Sequence, residues 1–476
     1  MLNTFVERLS QSSSDLFQGS LRARVERVVG MLLEVNGAQT NQGIKLGALG
    51  WLHHDEDLIA CEVVGFSQDT AYLMALAPVE GVKHGAVVHF SSQDRDHDFS
   101  ICNPELLLGR VINGLGEALD DLGAISSAPV KVPSRRLNPM LRPPISQPVS
   151  TGIKAIDCCL TVGQGQRLGL FAGSGVGKSV LLGMLARYMQ ADVVVVGLIG
   201  ERGREVQEFV QENLASGLSR SVVVASPADD SPALRIRAAV YATKVAEYYR
   251  DQGKQVLLLM DSLTRVAQAQ REIGLGLGEP ATTKGYTPSA FAWLPRLVER
   301  AGTDSKGGAI TAFYTVLVEE DDFDDPVVDA ARAILDGHIV LDRQLAEQAI
   351  YPAINVSKSV SRLFSRLSSP HQQSLVGTFR QLWQTYTQQQ DLITIGAYQA
   401  GTDPVLDQAI NVYPHLCNFV RQPEQSKFES DDSWQHLEGI LLPGTDADGN
   451  QLLTDNNLLD NSAEPSSGFP EIVHNG

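Results

Sequence analysis

No apolar run in the chain reaches the ~18 residues that crossing a bilayer requires, and Met1 to Ser14 lack the basic and apolar regions of a signal peptide. These absences point to a soluble protein, which can still dock on a membrane complex. Cysteine is scarce. Cys61, Cys102, Cys158, Cys159 and Cys417 show no C-x-x-C spacing, which speaks against metal binding by cysteine, and the odd count suits reduced thiols. Basic residues are in deficit, 38 Lys and Arg against 56 Asp and Glu, and the net charge of −18 argues against a surface that binds nucleic acid non-specifically, though it leaves room for a local basic groove. Aromatics are few as well, at 6%. What is present is apolar content for two or three real cores in 476 residues.

The pattern changes along the chain. Leu2, Phe5, Val6 and Leu9 fall at helical spacing before the polar run Ser10 to Ser14, which predicts a short amphipathic helix within residues 1–18. Such a helix either packs on its own domain or binds a partner. Residues 19–95 carry short strand-like runs, ARVERVVGMLLEV, CEVVGF, AYLMA and AVVHF, parted by Gly- and Asn-rich turns, the signature of a small β-barrel or sandwich. A Pro-rich linker at Pro133 to Pro148 precedes strands at Asp192 to Ile199, Ser221 to Ala225, Gln255 to Asp261 and Ile310 to Val316, with a clear helix at Pro232 to Tyr249. Strands alternating with helices predict an α/β domain with a mostly parallel, doubly wound sheet over residues 96–345. Residues 346–441 turn helical, notably Gln372 to Gln390. The segment from Phe428 holds ten Asp and Glu and no Lys or Arg, so residues 442–476 read as a disordered acidic tail. Within it Asp446, Asp448 and Asn450 imitate a calcium loop, but Gln451 and Asn457 stand where the loop needs glycine and glutamate.

The strongest local signal is Ala172 to Ser179, AGSGVGKS, between the apolar run Arg167 to Phe171 and the helix-patterned Val180 to Met189. Gly173, Gly175 and Gly177 let the backbone turn its N–H groups inward, Lys178 can reach β- and γ-phosphates, and the Ser179 hydroxyl can ligate Mg²⁺. Leu181, Met184, Leu185 and Tyr188 then repeat at helical spacing, which puts this cradle at a helix N-terminus. The run QVLLLMD delivers Asp261 to the C-terminal edge of the sheet, where a carboxylate can hold the metal's water shell. The same residue also suits an N-cap for the helix that follows. The strand VVVVGLIG runs into Glu201, Arg202, Gly203, Arg204 and Glu205. Glu201 is the candidate to polarise the attacking water, Arg202 to steady the phosphate or the glutamate, and Glu205 to hold a metal-bound water; a solvated ion-pair patch is the competing reading.

Taken with GLIGERGREV (197–206), DSLTR (261–265), AQREIGLGLGEP (269–280) and YPAINVSKSVSR (351–362), the cradle makes the chain resemble the flagellar protein-export ATPases. That family is related to rotary ATP synthase catalytic subunits and to type III secretion ATPases. Over roughly Leu21 to Leu441 the resemblance implies a RecA-like P-loop NTPase core, an N-terminal β-barrel and a C-terminal helical domain. It implies ATP held by Gly173, Ser174, Gly175, Val176, Gly177, Lys178, Ser179 and Val180, with Tyr351 stacked on adenine and Mg²⁺ at Ser179, Asp261 and Glu205. Glu201 matches the catalytic glutamate, and Arg362 matches an arginine that reaches into the neighbouring subunit's site. Because both lie on one chain, a ring of identical subunits, a homohexamer, can complete every site. The resemblance further implies a regulatory or stator protein on the N-terminal helix and a central-stalk-like protein at the ring's centre, which Ile273 to Tyr286 would face. It also implies an export gate and export substrates with their chaperones, peripheral membrane association through that apparatus, and no nucleic acid. Thr287 stands where relatives usually have proline, which leaves that loop's rigidity open.

Two other functions share this core. An injectisome ATPase would use the same mechanism. A ring-shaped RNA translocase would need an aromatic stacking surface on the N-terminal domain, which offers only Trp51, Phe66, Tyr72 and Phe90 among acidic residues. A non-catalytic nucleotide-binding scaffold would not need Lys178, Glu201, Asp261 and Arg362 together.

Overall fold

The computed structural model describes residues 21–442 apart from 37–43, 55–56, 68, 91–99, 126–129, 133–137 and 319–323. The N-terminal helix, the acidic tail beyond 442 and its calcium-like loop lie outside the described residues.

Six short strands follow from alternating apolar residues. β1 (Leu21–Val29), β2 (Leu32–Asn36), β3 (Leu49–His54), β4 (Asp57–Ser67), β5 (Thr70–Ala75) and β6 (Val87–Phe90) close into an antiparallel barrel in the order β1-β2-β5-β4-β3-β6. In β1 the side chains of Ala23 and Val25 turn inward while Arg24 and Glu26 turn out. The inward set, with Leu33, Leu52, Val63, Leu73 and Val88, fills the barrel, and closure leaves no free sheet edge. One side of the barrel sits on the next domain, where Leu32, Ala60, Met74 and Leu76 pack on Ala233, Leu234 and Ile273, and Arg237 pairs with Glu62 at 3.4 Å.

That next domain is built on strands β7 (Ser100–Ile101), β8 (Val111–Ile112), β9 (Val130–Lys131), β10 (Arg167–Ala172), β11 (Val193–Ile199), β12 (Ser221–Ser226), β13 (Gln255–Asp261), β14 (Gly302–Thr303), β15 (Ala309–Leu317), β16 (Gly337–Val340) and β17 (Val360–Ser361). β7 and β9 pair with each other, and the main sheet runs β17-β16-β10-β15-β13-β11-β12-β8 with β14 beside β15. From β16 to β8 the pairs are parallel, whereas β17 and β14 add antiparallel edges. β10 to β13 are buried nearly throughout, as a sheet covered by helices on both faces requires.

Helices α1 (Lys154–Cys159), α2 (Lys178–Tyr188), α3 (Gly203–Glu208), α4 (Pro232–Asp251), α5 (Leu263–Gly276), α6 (Pro288–Val298), α7 (Pro326–Ile334) and α8 (Arg343–Glu347) provide that cover. After α9 (Phe364–Leu367) come α10 (Pro370–Thr394), α11 (Pro404–Val420) and α12 (Ser430–Leu441). Ser369 and Gln372 cap α10 reciprocally. α10 and α11 join through an aromatic ladder, Trp383 on Tyr413 at 5.0 Å and Tyr386 stacked on Tyr413 at 3.8 Å. Leu375, Phe379 and Trp383 of α10 share one apolar core with Leu181, Leu182 and Leu185 of α2, so the helical domain braces the helix that carries the phosphate cradle.

At the N-terminal edge of the sheet the structure holds a set of charges that composition alone does not reveal. Arg167 grips Asp336 with Nε and Nη2 at 2.9 and 3.1 Å, and Arg300 grips Glu247 at 2.8 and 2.6 Å. Lys244 and Arg250 donate to the carbonyls of Val132 and Arg300 at 2.6 and 2.8 Å.

Candidate functional site

The candidate site lies at the opposite edge, where β10, β11 and β13 end. β10 feeds the glycine loop, in which Gly175 and Gly177 have φ of +78° and +89°, a region that a residue with a Cβ enters only under strain. Gly177 is the N-cap position of α2, so Lys178 and Ser179 open that helix with its unpaired N–H groups beside them. Ser174, Gly175 and Ser179 are exposed, while Val176 is buried and anchors the loop.

Strand register brings the acidic residues to the lysine. Leu198 of β11 lies opposite Asp261 of β13, which sets Glu201, two residues past β11, close to Asp261. Lys178 Nζ donates to Glu201 Oε1 at 2.8 Å and to Asp261 Oδ1 at 2.7 Å. Burial works against the ammonium's charge, but Asp261 and Glu201 outweigh it and hold the Lys178 pKa above its ordinary value. Burial pushes Glu201 up, the Asp261 carboxylate pushes it further, and its pKa stands at about 7. Ser262, whose hydroxyl accepts from Arg265 N at 3.2 Å, is the N-cap of α5. Asp261 is therefore not a cap, and its carboxylate belongs to the site.

The other expected residues fall around this centre. Glu205 pairs with Arg202 at 2.8 Å on the first turn of α3. Burial raises the Glu205 pKa, but hydrogen bonds from Glu201 and Arg202 overcome this and leave it below the ordinary carboxylate value. Arg202 is 74% exposed and bonds to Glu205 rather than to Glu201. Tyr351 is 42% exposed and lies over the cradle, since a Cβ built on Gly177 would stand 3.4 Å from its ring. Val180 faces solvent. Arg362 follows β17 at the far edge of the sheet, where its Nη2 donates to Arg332 O at 2.9 Å, away from the Lys178 cluster of its own chain.

Two residues were not singled out from sequence. Thr315, fully buried on β15, donates to Asp261 Oδ1 at 2.5 Å. Gln422, also buried, donates its backbone N–H to Tyr351 O at 2.8 Å and ties the Tyr351 turn to Lys154 N and Gly152 O at 3.0 and 2.8 Å. A polar residue near the end of a strand beside the Asp261 strand was the available signal for Thr315; Gln422 offered none.

A lysine at a helix N-terminus between two carboxylates, beneath a glycine loop, suits a triphosphate. The donor set also fits Mg²⁺: the exposed Ser179 hydroxyl and Asp261 Oδ2 accept and donate no hydrogen bond among the described residues.

Comparison with known proteins agrees with that geometry. The model of the ATP synthase alpha/beta family, nucleotide-binding domain, matches residues 152–361, and that of the T3SS EscN ATPase C-terminal domain matches residues 368–439. The flagellum-specific ATP synthase of Pseudomonas aeruginosa is 48% identical over 93% of this chain and 97% of its own length. Its counterpart from Salmonella typhimurium is 49% identical over 88% and 93%. The chain belongs to the flagellum-specific ATP synthase family. Among solved structures, the assembled ATPase EscN of the enteropathogenic E. coli type III secretion system superposes with a TM-score of 0.80 at 38% identity, over 88% of this chain and 100% of that one. As a flagellum-specific ATP synthase relative the chain is a P-loop ATPase, with the barrel, parallel-sheet core and C-terminal helices expected from its sequence. No described helix is long and apolar enough to cross a membrane.

Proposed function

We propose that the chain hydrolyses ATP with Mg²⁺ to energise flagellar protein export, acting as a ring of identical subunits at the export apparatus. The observation that carries this reading is Lys178 held between Glu201 and Asp261 under the glycine loop. When a triphosphate enters, the loop N–H groups from Gly173 to Ser179 receive its oxygens and Lys178 swings from the two carboxylates to the β- and γ-phosphates. Its departure frees Glu201 to accept a hydrogen bond from the attacking water. Ser179 would hold Mg²⁺ through its hydroxyl and Asp261 and Glu205 would hold the metal's waters; the ion would supply positive charge to the phosphate oxygens. Tyr351 offers a stacking face for adenine beside Gly177. Arg362 points away from its own site, which supports its action in the neighbouring subunit.

The ring draws support from EscN, solved in its assembled form and, in a second structure with a TM-score of 0.78, in complex with its central stalk EscO. A stalk-like protein against the 273–286 loop, a regulator on the N-terminal helix, and chaperone-borne substrates at the export gate complete the reading. A flagellar role is favoured over an injectisome role by the flagellum-specific relatives, 41–49% identical over most of the chain. RNA translocation lacks its surface: Phe90 lies in the barrel core, Tyr72 and Trp51 pack towards the core domain, and Phe66 is the one largely exposed ring of the four. The test is Glu201→Gln, expected to keep ATP affinity while turnover falls about a hundredfold or more. Equal loss of both would make Glu201 structural and overturn the assignment.

A further inference from the structure

Asp261 Oδ1 has two donors of different permanence. One is Lys178 Nζ at 2.7 Å; the other is the Thr315 hydroxyl at 2.5 Å, from the neighbouring strand β15. A hydroxyl has one proton to give. Thr315 Oγ1 also lies 3.4 Å from Met260 O, but the shorter contact to an ionised acceptor takes the proton. Asp261 Oδ2, by contrast, accepts no hydrogen bond among the described residues. The carboxylate is thus clamped by one oxygen and presents the other.

The two clamps respond differently to a ligand. Lys178 sits on a flexible four-carbon stem and must leave Asp261 to reach phosphates in the cradle. Thr315 cannot follow, because its side chain is short, β-branched and stiff at χ1, on a strand whose backbone is fixed on both sides. In the loaded site Thr315 is the donor left on Oδ1.

We propose that Thr315 is a positioning residue: its hydroxyl holds Asp261 Oδ1 against the sheet, so that Oδ2 stays turned to the water shell of the Mg²⁺ that arrives with the nucleotide. The inference rests on the ATPase reading above. It assigns Thr315 no contact with substrate, and it differs from a purely structural role, which Met260 O alone would satisfy. A hydrogen bond to a charged group is worth about tenfold or more in an equilibrium, and here that factor falls on the Mg²⁺-dependent part of ATP binding.

The experiment measures the dissociation constant of a fluorescent ATP analogue, once with Mg²⁺ and once with EDTA, on the full chain. Wild type should bind more tightly with Mg²⁺. Thr315→Val should lose about tenfold of that gain, keep its EDTA affinity, and need more Mg²⁺ for half-maximal turnover. Thr315→Ser should restore most of the gain, and Thr315→Ala, which tolerates imperfect filling of the site differently from valine, should match Thr315→Val. The proposal is overturned if the hydroxyl-free variants retain the full gain, if both affinities fall together, or if serine fails to rescue. A wild type that shows no Mg²⁺ gain would instead count against the ATPase reading on which the inference rests.

Discussion

The two edges of the central sheet both carry charged groups shielded from solvent but hold them in different ways. At the N-terminal edge the cations are locked. Arg167 and Arg300 hold Asp336 and Glu247 through two nitrogens each, and Lys244 and Arg250 are fixed to main-chain carbonyls that cannot move away. At the C-terminal edge Lys178 touches side chains alone, Glu201 and Asp261, and each of these has other work open to it. Charge held by two-pronged pairs or by backbone, away from any binding loop, stabilises a fold; charge held by side chains at a glycine loop can be exchanged for a ligand.

The sharpest way to break that contrast is to remove the exchangeable cation. Lys178→Ala should abolish ATP binding or turnover, since no other ammonium among the described residues pairs with Glu201 or Asp261, and should lower the melting temperature by leaving those two buried carboxylates without their cation. Calorimetry beside a nucleotide titration checks both halves, and near-normal hydrolysis would end the reading of the C-terminal edge as a phosphate site. The converse substitution acts on the locked edge. Glu247→Ala strands Arg300, and Lys244 loses a carboxylate 3.7 Å away, so unfolding free energy should fall by about 3–5 kcal/mol with ATP affinity per folded chain unchanged. Equilibrium denaturation gives the number, and a change in affinity without loss of stability would contradict it.

A smaller, graded effect comes from Glu201. Its pKa of about 7 in the empty site lies above the ordinary carboxylate value, so the base is progressively protonated as pH falls through neutrality. The value of kcat/KM should then drop tenfold per pH unit below about 7 and level off above it, because that ratio reports the free enzyme. A flat profile between pH 5 and pH 7 would show that Glu201 is not the group that must be ionised.

Sequence reading recovered the exchangeable edge better than the locked one, for a physical reason. The cradle, Glu201 and Asp261 are each announced locally by a strand that ends in glycine or charge, whereas Lys244 and Glu247 sit on α4 and look like a solvated helix face. They are buried because Arg300 and Val132 O arrive from far along the chain. β8, β16 and β17 were missed because two to four residues carry no periodicity. The barrel was legible from alternation, and the structure decides for closure over a sandwich. The glycine-rich stretch from Ile273 is helical as far as Gly276, and Gly274 is required there because a Cβ would meet Glu279, Thr287 and Ser289. Thr287, where proline was expected, is buried with its hydroxyl 3.0 Å from that of Ser289, and this bond orders the start of α6. Thr315 escaped notice because one more β-branched residue in a buried strand is what packing alone would select.

The central claim is that the exchangeable edge of one subunit is completed by the next. Arg362 lies eleven residues after Tyr351 yet beside Asp336 at the N-terminal edge, away from the pairing of Glu201 with Lys178, which supports its service to a γ-phosphate across an interface. Such an arginine is worth about 10³ to 10⁵ in turnover. The direct measurement is the ATPase rate of rings assembled from Arg362→Ala chains mixed with an excess of Glu201→Gln chains, neither active alone. Some interfaces in the mixture join an intact Glu201 to an intact Arg362, and activity should reappear there in proportion to their number. Mixed rings that demonstrably form and stay as inactive as their parts would contradict the shared site.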